Sequence, residues 1–301
     1  MTHFINKKHF EYQRYFKIIN DSYRKLKGNL LILVPDLILL FVTLILSIVF
    51  LWFNGLMPGG LVDPSVLFQT DEGVETFKNI LLKFLGKTDF ASFLISLAAF
   101  FVARFFIGAG LLTIKYNMIK RTIEGKKITN FKKELLMVAL DPKKFINVIK
   151  MNFLVYVLML FLAVFLSIIT LLFLDVNTAG FLFMVFAISI SVFLVKVIFF
   201  FRYAVMFLDN LSAWSSIKDA FYYFKQHPVF VILVWLFLFI AIFLISLVLS
   251  TLTFGVSQLV FLVAGTVTSL FILNLLKNLI SIFLGLLGDI FIFNIYSRKK
   301  I

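Results

Sequence analysis

The sequence predicts an all-α fold, a polytopic membrane helical bundle of six transmembrane helices with short amphipathic helices along one interface. Three observations predict it. Hydrophobic residues fill 62% of the 301 positions and charged residues only 15%, where a soluble domain carries about 25% charge. There is too little polar surface to coat a soluble core. The apolar residues fall in runs of about twenty or more, enough to cross a hydrocarbon layer about 30 Å thick. Lys and Arg, 29 against 15 Asp and Glu, gather in alternate connections, which is how topology is written in membrane proteins. Residues 1–301 therefore read as a single integral membrane domain.

The first 29 residues hold seven Lys or Arg and no apolar stretch leading to a cleavage site. The first span is expected to direct insertion itself. Within this tail Tyr12, Tyr15, Ile19, Tyr23 and Leu26 recur at helical spacing, predicting a helix in the interface. Spans are predicted at Leu30–Phe53, Phe90–Ile114, Met151–Leu174, Phe181–Leu208 and Val229–Ser250. A last one lies within Leu259–Ile295. That segment is 37 residues, about 55 Å of helix and too long for one crossing. An interfacial or re-entrant piece near 258–272, then a final span from about Leu273 to Ile295, resolves the excess.

The connections set the orientation. The tail, the 115–150 segment, the 202–228 connector and the C-terminus together carry 23 Lys and Arg, against three in 54–89, 175–180 and 251–258. Both termini are expected in the cytosol, with residues 54–89 facing outward and the protein in the cell membrane. Before the fifth span, Trp214, Ile217, Phe221 and Phe224 form an apolar stripe opposite Ser215, Ser216, Lys218, Asp219 and Lys225. Ser212 caps its start and Pro228 ends it. This predicts an interfacial helix with the four apolar residues toward the acyl chains. Phe131, Leu135, Val138 and Ala139 repeat the pattern before the third span, ended by Asp141–Pro142. "INDSYRKLKGNLLILVPDLILLF" and "IKDAFYYFKQHPVFVILVWLFLF" run alike, so the unit is an interfacial helix plus two spans, used three times.

Two stretches, "FFRYAVMFLDNLSAWSSIKDAFYYFKQHPVF" and "GAGLLTIKYNMIKRTIEGKKITNF", carry a family resemblance. The pattern they carry is a span ending in an Arg–aromatic segment, then a Ser- and Ala-bearing helix, then the next span. The chain resembles the six-span integral membrane domain that precedes the catalytic barrel in some bacterial glycerophosphodiester phosphodiesterases. It also resembles related stand-alone microbial membrane proteins of unknown function. The resemblance implies the fold only. No stretch of these residues has room for the hydrolase barrel, so no phosphodiesterase activity is expected.

Charge inside the spans is the strongest pointer to a site, because it costs a few kcal/mol to insert. Asp36, Arg104, Lys196 and Asp289 all fall roughly 10–18 Å from the cytosolic boundary at 1.5 Å per residue. Two are acidic and two basic, which predicts one shared polar site on four spans, a cavity open to the cytosol for a charged head group or ion. The alternatives are structural ion pairs or basic side chains that snorkel to the interface. No catalytic constellation stands beside them. His3, His9 and His227 lack a second ligand at metal spacing. Ser92, Ser189 and Ser191 lack a nucleophile elbow or a paired His and suit backbone hydrogen bonds. Gly108–Ala109–Gly110 and the Gly285/Gly288 pair suit close helix packing. With no cysteine, disulfides and thiolate sites are excluded.

The expectation is a non-enzymatic membrane protein, without cofactor or metal, that engages lipid or a small amphiphilic solute or scaffolds other membrane components. The alternative is the permease subunit of an exporter driven by a separate cytosolic ATPase. The basic segments lie beside a membrane, so anionic lipid head groups are the expected partners rather than nucleic acid. A homo-oligomer is compatible with either reading.

Overall fold

In the computed structural model, which describes residues 2–53, 90–173 and 178–299, every regular element is helical. In chain order they are α1 (Thr2–Gly28), a 3-10 turn (Leu30–Leu33), α2 (Val34–Phe53), α3 (Phe90–Ile123) and α4 (Phe131–Leu140). Then follow α5 (Pro142–Phe173), α6 (Thr178–Ile198), α7 (Arg202–Leu208), α8 (Ala213–Gln226) and α9 (Pro228–Lys299). Six stretches are long and apolar enough to cross a membrane: Leu30–Phe50, Ser92–Ile123, Pro142–Thr170, Phe183–Leu208, Pro228–Gly255 and Ile272–Arg298. A further helix, α1, α4 or α8, stands before each pair of spans. The segment expected to face outward, 54–89, lies outside the described residues.

Local chemistry sets the boundaries. The Asn130 side chain accepts from the backbone N–H groups of Lys132 and Lys133 and opens α4, and Ser212 accepts from Ser215 N–H to open α8. Pro142 and Pro228 are the first residues of α5 and α9, where a missing N–H costs nothing. Asn29 follows α1, and its Oδ1 accepts from the backbone N–H of Ile128 at 2.9 Å. The entrance to the first span is thereby tied to the connection between α3 and α4.

Three boundaries differ from expectation. Helix α3 runs on to Ile123, past the predicted end at Ile114, and α5 begins at Pro142, ahead of Met151. Both spans continue as helix into the basic zone. The fourth span is broken between Ile198 and Arg202. At that break the Arg202 guanidinium donates to the Phe199 carbonyl at 3.1 Å, and the Phe201 ring is locked between Tyr223 at 5.3 Å and Tyr296 at 5.9 Å.

The helical run α9 doubles back on itself. A straight helix would separate Leu238 from Gly288 by about 75 Å. A Cβ on Gly288 would instead lie 3.4–3.7 Å from Ile242 and Leu238, and Phe237 meets Phe291 at 6.1 Å. Phe254 and Leu273 line one cavity, so the reversal falls between them. This is the interval where the length of the segment calls for an interruption. Gly288 is thus a close-packing glycine, as expected, whereas Gly285 faces open space.

The sixth span is central. Half of its most apolar window is buried, against 11–17% in the other five. Leu286, Ile290, Phe291 and Phe293 are buried against Ile18 and Leu26 of α1, Met118 and Ile119 of α3, and Val205 of α7. The outer surfaces of the spans stay apolar and exposed, as at Phe41, Ile45, Ile95, Phe161, Phe186 and Phe243. A soluble monomer rarely shows contiguous patches of that extent, and a bilayer covers them. The buried core lies toward the basic end of the bundle.

Candidate functional site

Asp36 and Asp289 are brought together, as their depth suggested, but the base between them is Lys115. Asp36 stands in the first turn of α2 and Asp289 in the last span. Lys115 reaches in from α3, with Nζ 2.8 Å from Oδ2 of each carboxylate. Its side chain is 8% exposed, and Asp36 and Asp289 are 14% and 22% exposed. The Asp36 Oδ2 atom is buried without an aligned hydrogen-bond donor, so the ammonium charge is its compensation. Two carboxylates and one ammonium leave one formal negative charge, held where an unpaired charge is costly.

An aromatic stack continues from this cluster. Tyr116, next to Lys115, lies parallel to Tyr203 at 4.4 Å and to Phe293 at 5.5 Å. The Arg202 guanidinium covers the Tyr203 ring at 4.6 Å, a cation–π contact. The Tyr203 hydroxyl donates a short hydrogen bond to Asn152 Oδ1 on α5. Lys115–Tyr116 and Arg202–Tyr203 are the same basic–tyrosine pair, near the ends of the second and fourth spans. Of the two bases, Lys115 pairs with the carboxylates, while Arg202 meets the Phe199 carbonyl and the Tyr203 ring. The count of Lys and Arg had assigned both to the cytosolic flanks.

Arg104 and Lys196 are elsewhere. Both are exposed, and neither makes an ion pair or hydrogen bond among the described residues. Lys196 falls in the last turn of α6, where a cation complements the helix dipole. Arg104 lines a lateral groove between α2, α3 and α5 with a volume of about 660 Å³. The groove is otherwise apolar, lined by Leu39, Phe101, Phe105, Phe106 and Leu112 among others, and Asn152 and Tyr156 are its remaining polar side chains. Asn152 therefore joins the groove to the stack beside the ion cluster.

Helix α8, expected to lie in the interface, meets the protein through an arc that includes Ser216 of its expected polar face. Ala213, Ser216 and Ala220 are its buried residues. Ile217 and Phe224 pack partly against the core, while Trp214 and Phe221 are 67% and 48% exposed. Small residues let the helix approach closely, so the predicted apolar face is divided between protein and surroundings. Lys218, Tyr222 and Lys225 share the exposed arc with Trp214. Burial, with Tyr15 nearby, pushes the Tyr223 hydroxyl up to about 12.

On α1 the buried residues include Ile18, Ser22 and Leu26, while Tyr23 is exposed. Its polar edge clasps the end of the last span. Asn294 donates to Asp21 at 3.0 Å and to Ser22 at 3.2 Å, Lys25 donates to Asn294 Oδ1 at 3.1 Å, and Arg298 pairs with Asp21. Partial burial raises the Asp21 carboxyl, but the Asn294 hydrogen bond and the Lys25 and Arg298 charges outweigh it and hold the group below its usual range. Glu134 of α4 is buried against Arg121 of α3.

Fold and site together define a polytopic α-helical membrane protein. Compared with protein-family models, with curated proteins and with solved structures, the chain matches none. The likeness to the membrane domain of the phosphodiesterases is thus one of pattern, and no family is assigned.

Proposed function

We propose that the protein is a non-enzymatic, membrane-embedded binding protein for lipid or a small amphiphile, with the groove between α2, α3 and α5 as its site. The observation that carries this reading is the groove itself: about 660 Å³, mostly apolar, with Arg104, Asn152 and Tyr156 among its walls. Ligand sites of this size class pair apolar walls with a few placed polar groups. The buried ion cluster serves as the fixed point from which α2 and α3 diverge around the groove. The basic end, with α4, α8 and both termini, is the cytosolic side, and the exposed Trp214, Lys218 and Lys225 meet anionic head groups there.

Native mass spectrometry after purification in mild detergent tests the reading. The wild-type chain is expected to retain amphiphile, and Gly108→Leu, which projects a side chain into the groove, is expected to lose it with its helical content unchanged. Equal retention by both proteins contradicts a ligand in this groove. A stoichiometric ATPase subunit in the same spectra would favour the exporter permease.

A further inference from the structure

We infer that the occupant of the groove is a single-chain carboxylate amphiphile, a fatty acid in chemical class, with its head group on Arg104. This rests on the groove reading above and adds the charge and the chain number of the ligand. Arg104 has no acidic partner among the described residues, and Asp36 and Asp289 are both held by Lys115. A guanidinium keeps its charge in proteins, and its planar fork of donors matches a carboxylate. Its position, eleven residues and about 16 Å along the helix from Lys115, puts that charge within the apolar span.

The polar neighbours point the same way. Asn152 uses Oδ1 to accept from Tyr203, so its amide has N–H donors left for a ligand. The Tyr156 hydroxyl can donate as well. A site whose polar atoms are donors recognises an acceptor-rich anion rather than an alcohol or an amine. One cation in the groove balances one negative charge. A phosphate monoester would bring close to two charges at neutral pH and leave the excess unpaired in an apolar setting. A two-chain phospholipid would bring a second acyl chain and two ester groups to the same depth, where the Asn152 amide and the Tyr156 hydroxyl are the remaining donors. A carboxylate on one alkyl chain fits the charge, while Phe101, Phe105 and Leu112 supply the apolar wall for its chain.

The test is equilibrium binding of oleate, oleyl alcohol and dioleoyl phosphatidylglycerol to the full chain in mild detergent. Oleate and the alcohol share a chain and differ in head group. Hydrogen bonds to charged groups in such sites change affinity by about ten- to a hundredfold. Oleate is expected to bind the wild type tighter than the alcohol by that factor, and Arg104→Gln to erase the difference. Arg104→Lys should retain part of the preference. Arg104 makes no ion pair or hydrogen bond among the described residues, and the thermal midpoint reports whether each variant is intact. Equal binding of acid and alcohol, or oleate binding unchanged in Arg104→Gln, overturns the carboxylate assignment while the groove reading stands. Phosphatidylglycerol competing as strongly as oleate overturns the single-chain assignment. Binding of none of the three probes defeats the groove reading itself.

Discussion

Lys115 holds its Nζ 2.8 Å from a carboxylate oxygen of both Asp36 and Asp289. Two Asp inside apolar spans announce that bases must lie at their depth, since an unpaired carboxylate there is costly. The helix carrying the base extends to Ile123, so a lysine that reads as the edge of a cytosolic segment is buried between Asp36 and Asp289. Spacing along one strand of sequence does not reveal where a helix crosses its neighbours. The consequence is measurable in detergent by thermal or denaturant unfolding. Lys115→Met leaves two buried carboxylates without a counter-charge and should cost about 3–5 kcal/mol. Asp36→Asn and Asp289→Asn should each cost less, because the ammonium keeps one partner. The double Asn variant should cost more than the two single changes together, the mark of a shared partner. Arg104→Gln combined with Asp36→Asn should be additive within about 0.5 kcal/mol. Strong coupling between those two would place Arg104 in the ion cluster, against the geometry described.

The helices themselves were largely legible, because an apolar run of twenty residues has few alternatives to a crossing helix. Their contact faces were less so. In α8 the large apolar residues were expected to face the acyl chains, yet Ile217 and Phe224 pack partly against the protein, where Ala213, Ser216 and Ala220 make the closest approach. Small residues carry little hydrophobic signal and much packing value. Ala220→Leu should overpack that face and lower stability by about 1–3 kcal/mol, whereas Trp214→Ala should leave the unfolding midpoint nearly unchanged. The reverse order would mean that Trp214 is the anchor to the protein. Helix α1 offers a pH test. Asp21 is held below its usual range in the folded chain, so its contribution is complete above about pH 4, the carboxylate's unfolded value. It is lost as pH falls through the folded value. Proteolysis of α1 should therefore rise on acidification below about pH 4, and Asp21→Asn should flatten that dependence. An identical pH profile in the variant would remove Asp21 from the docking of α1.

For the molecule as a whole, six spans place both termini on one side, and the pairing of Asp21 with Arg298 joins the first helix to the end of the last. From the charge count we propose that this side is the cytosol. With single cysteines placed in this cysteine-free chain, an impermeant reagent added to intact cells should label Ser65→Cys and spare Lys127→Cys. Labelling at Lys127→Cys alone would invert the topology. The groove was not legible, since it arises where α2, α3 and α5 part, and no residue pattern along one helix encodes a gap between three. Arg104 marked the depth of a polar site, but its pairing with Asp36 or Asp289 was expected, and both are held by Lys115 instead. A density map of the wild-type chain in lipid nanodiscs would show whether this gap holds a ligand. An elongated density is expected between Leu39, Phe105 and Tyr156, with one end at the Arg104 guanidinium. A groove closed by direct contact of the three helices, with Arg104 turned out to the head groups, would contradict it.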